Sequence, residues 1–163
     1  MNDRIVLVPL ARLEGRHLAG LVDEFVALLT DTASDANDPG LDRLTPEAYP
    51  DDAEASAEFS RATADDLLDR RAADARTVRA ALQRFVDGEG EGEDLDPLDV
   101  VIDERELDAW LRTLTALRLV IATRLSVADG VDPHDHEDPR FGVYDWLGYR
   151  LDGLIEAADA RDL

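Results

Sequence analysis

The stretch from Asp103 to Val127, DERELDAWLRTLTALRLVIATRLSV, restricts the choice of fold more than any other part of the chain. At about 100° per residue, Leu107, Leu111, Leu114, Ile121 and Leu125 share one face with Trp110 and Leu117 beside it, the pattern of a helix with one side against a core. Asp103 followed by Glu106 reads as a capping box, and a helix of this length spans about 37 Å, enough to run through a small domain. This is the expected central helix. Arg118 interrupts it, lying inside the apolar arc where a guanidinium requires a partner.

A candidate partner lies on another helix. From Leu10 to about Asp31, the residues Leu10, Leu18, Leu21, Phe25 and Leu28 share a face flanked by Val22 and Leu29, and Glu14 falls in the middle of it. Pairing Glu14 with Arg118 would satisfy both charges, and removing either would cost about 3–5 kcal/mol. Glu58, Asp65 and Asp66 are the alternative partners. Arg124, at the edge of the central stripe, is the basic group expected to face a cleft beside Arg118. A carboxylate and a guanidinium together can line a ligand pocket or form an acid–base pair, but structural ion pairs between helices are common, so the structural reading leads.

The rest of the chain supplies further helices and one ribbon. Ile5 to Val8 is a β-branched run ended by Pro9, and Val100 to Ile102 is the comparable run, so the two are expected to pair rather than remain coil. Thr32 to Gly40 reads as a polar loop. Thr45-Pro46-Glu47 opens a single helical turn that Pro50 ends, and Asp51 and Asp52 then start a helix from Ala53 to about Arg61 with Phe59 as its anchor. Thr63 to Val86 forms a separate long helix with Leu67, Ala75, Val78, Leu82 and Phe85 inside. Phe141 to Ala160 forms the last helix, with Tyr144, Leu147, Leu151, Ile155 and Ala158 inside and Trp146 on the outer face, either covered by a loop or presented to a partner.

The expected fold is therefore mainly α: one helical domain over residues 1–163, with about five helices around a long central one and a small N-terminal two-stranded β-ribbon. A chain of 163 residues that is 45% apolar can bury one core. Acidic mobile loops are expected at about 87–98 and 129–140, because DGEGEGEDLDP holds nothing to bury.

Charge bears on partners. The chain has 17 basic residues, every one an arginine, against 38 acidic ones, a formal net charge of −21. Such a field disfavours polyanions, so a protein partner is expected over nucleic acid, and a DNA-contacting role needs Arg70, Arg71, Arg76, Arg79 and Arg84 to form one basic face free of carboxylates. The absence of cysteine rules out thiol chemistry, disulfides and zinc–thiolate sites. The apolar run near the N-terminus is too short for a signal or membrane segment, so a cytoplasmic protein with no membrane role is expected. His134 and His136, amid acidic residues, are weak metal candidates in what reads as a solvated loop tip. His17, near the apolar face of the first helix, reads as a packed core histidine. No nucleophile triad, phosphate loop or cofactor motif is present.

Several segments together are similar to an actinobacterial domain-of-unknown-function family, number 2017. They are Leu44-Thr45-Pro46-Glu47-Ala48-Tyr49 with Asp51-Asp52 and Glu58-Phe59; Asp66-Leu67 with Arg70; Trp110-Leu111; Leu117-Arg118-Leu119 with Thr123-Arg124-Leu125; and Tyr144-Asp145-Trp146-Leu147. Members are typically encoded beside the ClpS adaptor and described in places as transcriptional or oxidative-stress regulators. The resemblance implies a cytosolic regulatory or adaptor-like protein, and the leading expectation is a non-enzymatic regulator that binds another protein, for example a transcription or proteolysis component, through a surface including Trp146 and neighbouring acidic groups; a homodimer is one allowed assembly. Glu14, Arg118, Arg124, Glu58 and Tyr49 are the candidate polar network or pocket, and a small-molecule binder or enzyme using the first three is the third reading.

Overall fold

A computed structural model describes residues 4–31, 38–45, 53–125, 137 and 139–160, with the backbone alone at 53, 55–62 and 140. The architecture is mainly helical with a small antiparallel ribbon, as expected. In chain order it runs β1 (Ile5–Ala11), α1 (Arg12–Thr30), α2 (Pro39–Leu44), α3 (Ala53–Ala81), α4 (Gln83–Val86), β2 (Pro97–Asp103), α5 (Leu107–Arg124), a 3-10 turn (Pro139–Phe141) and α6 (Gly142–Asp159). None of the described helices is long and apolar enough to cross a membrane.

β1 and β2 pair antiparallel from Ile5 opposite Asp103 to Ala11 opposite Pro97. β1 thus starts where its apolar run does but continues through Pro9, which does not end it, to Ala11, and β2 is longer than its run at both ends. Its extension takes Asp103 out of the central helix: α5 starts four residues later than the sequence suggests, and the expected capping box does not form. Asp103 instead ends the strand and turns the chain, its carboxylate accepting from the Arg105 backbone N–H at 2.9 Å and from the Arg105 guanidinium. These bonds hold its pKa below the ordinary carboxylate value.

α5 packs against α2, α3 and α6, while α1 lies along α3 and α4. Its buried side is turned towards Trp110, Thr113, Leu114, Leu117 and Val120, leaving Leu111 and Ile121 half-buried. The core side of α1 is likewise turned towards Gly15, Ala19 and Val22, because small residues allow the closest approach. A Cβ on Gly15 would come within 2.5 Å of Phe85 Cε1, so Phe85 packs directly on the α1 backbone.

Three other expectations change. Residues 53–81 form one continuous helix rather than two, since nothing between Arg61 and Thr63 breaks it. Leu67 on α3 and Ile155 on α6 are exposed; Ala72 and Leu154 occupy the inner positions. Pro39 and Gly40, the end of the expected loop, instead open a helix that runs to Leu44: the Asp38 carboxylate caps it, accepting from the Gly40 N–H at 2.7 Å, with Pro39 at its first position and Leu44 buried. The turn expected at Thr45-Pro46-Glu47 lies largely outside the described residues.

The Gly-acidic run is exposed as expected but tied to α1. Helix N-termini leave backbone N–H groups without partners, and here the Asp96 and Asp94 carbonyls accept from the N–H groups of Arg12 (3.0 Å) and Leu13 (2.9 Å). The buried Arg12 guanidinium donates to the Glu89 carbonyl at 2.7 Å, and Arg16 pairs with Asp94. Gly90 has φ 77°, and a Cβ on Gly92 would meet Arg12 Nε at 2.5 Å, so the glycines shape the loop around that side chain.

Candidate functional site

β1 leads directly into α1 through Ala11, which has no side-chain oxygen to cap the helix. Glu14, at the third helical position, folds back instead: its Oε2 accepts from the Ala11 N–H at 3.0 Å and from Arg150 Nη2 at 2.9 Å, and its Oε1 accepts from Trp146 Nε1 at 3.0 Å. Arg150 also donates to the Pro9 carbonyl at 3.3 Å and lies over the Tyr149 ring, 5.3 Å from its centroid. One carboxylate therefore ties α6 to the corner where β1 becomes α1. Burial by itself would raise the Glu14 pKa, but the Ala11 N–H, the indole N–H and the Arg150 charge together outweigh it and hold the value below normal.

This corrects the expected pairing. Glu14 bonds Arg150 and Trp146, on α6, and not Arg118. Because the inner side of α5 is turned towards Trp110 and Leu117, Arg118 emerges at the margin facing α6. There its guanidinium stacks on Tyr144, 4.0 Å from the ring centroid, and Nε donates to the Tyr144 carbonyl at 3.3 Å. Gly148 leaves room for it, since a Cβ there would lie 3.1 Å from Arg118 Nε. Aromatic face and carbonyl replace the expected carboxylate. Of the alternative partners, Asp65 and Asp66 are exposed on α3. Arg124 is elsewhere again, 3.7 Å from Asp38 at the start of α2. Tyr49, the Glu58 side chain, His134 and His136 lie outside the described residues.

Trp146 does not stand free on an outer face. It is half-buried against the core and spends its indole N–H on Glu14. His17 is exposed rather than packed inside. Both residues line a cleft of about 230 Å³ with Glu14, Leu21, Gly142 and Val143, and neither Arg118 nor Arg124 lines it. Among the described residues, no group of three or more His, Asp or Glu is placed to hold a metal ion.

The arginines of α3 and α4 do not form a basic face free of carboxylates. Arg79 pairs with Asp23 at 2.8 Å, Arg84 with Glu89 at 2.9 Å, and Asp65, Asp66, Asp69 and Asp74 are interleaved along α3. Arg70 and Arg71 line a groove of about 780 Å³ between α3 and α5, which also contains the ion pair of Asp74 with Arg112 at 2.8 Å.

The chain matches the family model for a domain of unknown function, DUF2017, over residues 1–158. It belongs to that family. No curated protein and no solved structure matches it.

The DUF2017 fold also forms a second groove, of about 510 Å³, on the other side of the Arg150 anchor. β1 from Val6 to Pro9 makes one wall; Tyr149, Asp152, Gly153, Leu154 and Glu156 of α6 make the other. Two of its lining residues are large apolar groups in the open, Tyr149 at 70% exposed and Leu7 at 57%, and Ile5, next to Val6 on β1, is 58% exposed. Arg150 and Tyr149 escape the sequence reading, although Arg150, four residues after Trp146, shares its helical face and could have been found by that spacing.

Proposed function

We propose that this DUF2017 chain is a non-enzymatic, cytoplasmic regulatory protein of actinobacterial type that works by binding another protein through the face formed by β1 and α6. The observation that carries the reading is the exposure of Leu7 and Tyr149 on the two walls of an acidic groove, with Ile5 exposed further along β1, since solvent-facing apolar groups gathered at one concavity favour a protein partner. The dispersal of Glu14, Arg118 and Arg124 to three separate contacts weighs against a catalytic cluster. The carboxylates interleaved with the α3 arginines weigh against a nucleic-acid surface.

The test is a pull-down from lysate of the native host with the tagged chain, beside Tyr149→Ser and Trp146→Ala copies, read by mass spectrometry. A transcription or proteolysis component held by the parent and lost with Tyr149→Ser is the expected result. Recovery of the same proteins by all three copies would reject this face.

A further inference from the structure

We infer that the outer edge of β1 takes up an extended, basic and apolar peptide segment of the partner as a third strand, in the groove between β1 and α6; this rests on the protein-binding reading above and specifies its chemistry. In an antiparallel pair, alternate residues turn both backbone groups towards the partner strand, and the residues between turn both away. The ladder is fixed at its two ends by the Glu104 N–H on the Arg4 carbonyl and the Arg12 N–H on the Asp96 carbonyl, each 3.0 Å. Even-numbered residues of β1 therefore face β2, and Ile5, Leu7, Pro9 and Ala11 face outward.

The protein itself satisfies the far end of that edge. The Ala11 N–H is bonded to Glu14, the Pro9 carbonyl is bonded to Arg150, and proline has no N–H. Among the described residues nothing bonds the outward N–H and C=O of Ile5 and Leu7. Such an edge templates another strand unless something blunts it, and here Pro9 stops pairing at one end while Ile5 and Leu7 stay open. The Arg150 bond to Pro9 shows that the edge looks towards α6, so an added strand lies between a strand and a helix. On the helix wall, a Cβ at Gly153 meets nothing within 4 Å.

Charge decides the occupant. The groove wall carries Asp152 and Glu156, its one arginine, Arg150, is neutralised by Glu14, and the whole chain stands at −21. A second copy would bring the same carboxylates against these, whereas a partner segment alternating apolar residues with Arg or Lys matches the wall and Val6 and Val8 together.

The experiment pans a random dodecapeptide phage library on the full chain, then measures synthetic copies of enriched peptides by fluorescence anisotropy. Gly153→Trp fills the groove, and Gly20→Trp, at another open helical glycine, is the control. Enriched peptides should alternate apolar and basic residues and lose at least about tenfold in affinity to Gly153→Trp but not to Gly20→Trp. Methylating one alternate set of peptide amides should abolish binding, and methylating the other set should spare it. No enrichment, acidic or helically spaced peptides, equal loss from both methylated sets, or indifference to Gly153→Trp would overturn strand addition. So would a dimer in sedimentation that Gly153→Trp dissolves, since a second copy would then hold the edge. A Tyr149-dependent partner recovered by pull-down while the peptide arms fail rejects the third strand and leaves the protein-binding reading standing.

Discussion

Replacing Glu14 by Leu separates the observed network from the one the sequence suggests. The change strands three donors: the Ala11 N–H, the Trp146 indole and the Arg150 guanidinium. Neutral hydrogen bonds contribute about 0.5–1.5 kcal/mol net and those to charged groups about 1.5–3. The Glu14 and Arg150 side chains are 33% and 21% exposed, so solvent screens the ionic part. A loss of about 2–3 kcal/mol follows, read as the shift in urea midpoint by circular dichroism. The double variant Glu14→Leu/Arg150→Met should be less destabilised than the sum of its singles by about 1 kcal/mol, whereas Glu14→Leu/Arg118→Leu should be additive to within about 0.5 kcal/mol. Additivity with Arg150, or coupling with Arg118, would refute the geometry. The pH dependence has a definite sign. Folding lowers the Glu14 pKa, so its stabilising contribution is full above the unfolded carboxyl value and disappears as pH falls through the folded one. The stability gap between parent and Glu14→Gln should therefore narrow in acid, and a gap that widens would contradict the assignment.

Gly15→Ala should destabilise by about 1–3 kcal/mol despite the better helix propensity of alanine, because its Cβ meets the buried Phe85 ring; the same change in a Phe85→Leu background should cost less, and equal costs would show that the ring is not the obstacle. Arg12→Met should free the run from Glu89 to Asp96, seen as faster amide exchange there with a loss of about 1–2 kcal/mol, and unchanged exchange would mean the guanidinium does not hold the loop. Gly153→Ala should stabilise by about 0.5–1 kcal/mol in thermal denaturation, since the position is helical and open; a destabilised variant would mean the groove is already filled.

Helical class, the ribbon partners and most of the core were legible because periodicity and β-branching report them directly. The contacts were less so, for a physical reason. A wheel weighted by large apolar side chains centres on leucines, but small residues are buried between the helices, Gly15 and Ala19 on α1 and Thr113 and Ala116 on α5, and they turn the inner faces of α1 and α5 away from the leucine rows. That rotation puts Arg118 beside Tyr144 and Glu14 beside Arg150, on helices the pattern could not orient. The Asp38-Pro39 helix start carries an N-cap followed by proline, but aspartate, proline and glycine in succession are equally the chemistry of a turn, so the sequence does not separate the two. The Gly-acidic run reads as solvent-exposed, and it is; nothing in its composition tells that its carbonyls close on Arg12. The site face depends on Arg150, which only its spacing from Trp146 could have flagged.

Residue-resolved amide hydrogen exchange along β1 tests the open edge most directly, because it needs no partner. The N–H groups of Val6 and Val8 face β2 and should be protected, while those of Ile5 and Leu7 should exchange near the rates of an unstructured chain, then slow when a Tyr149-dependent partner is added. Protection of Leu7 equal to that of Val8 in the free protein would mean the edge is already occupied, and the account of this face would fail.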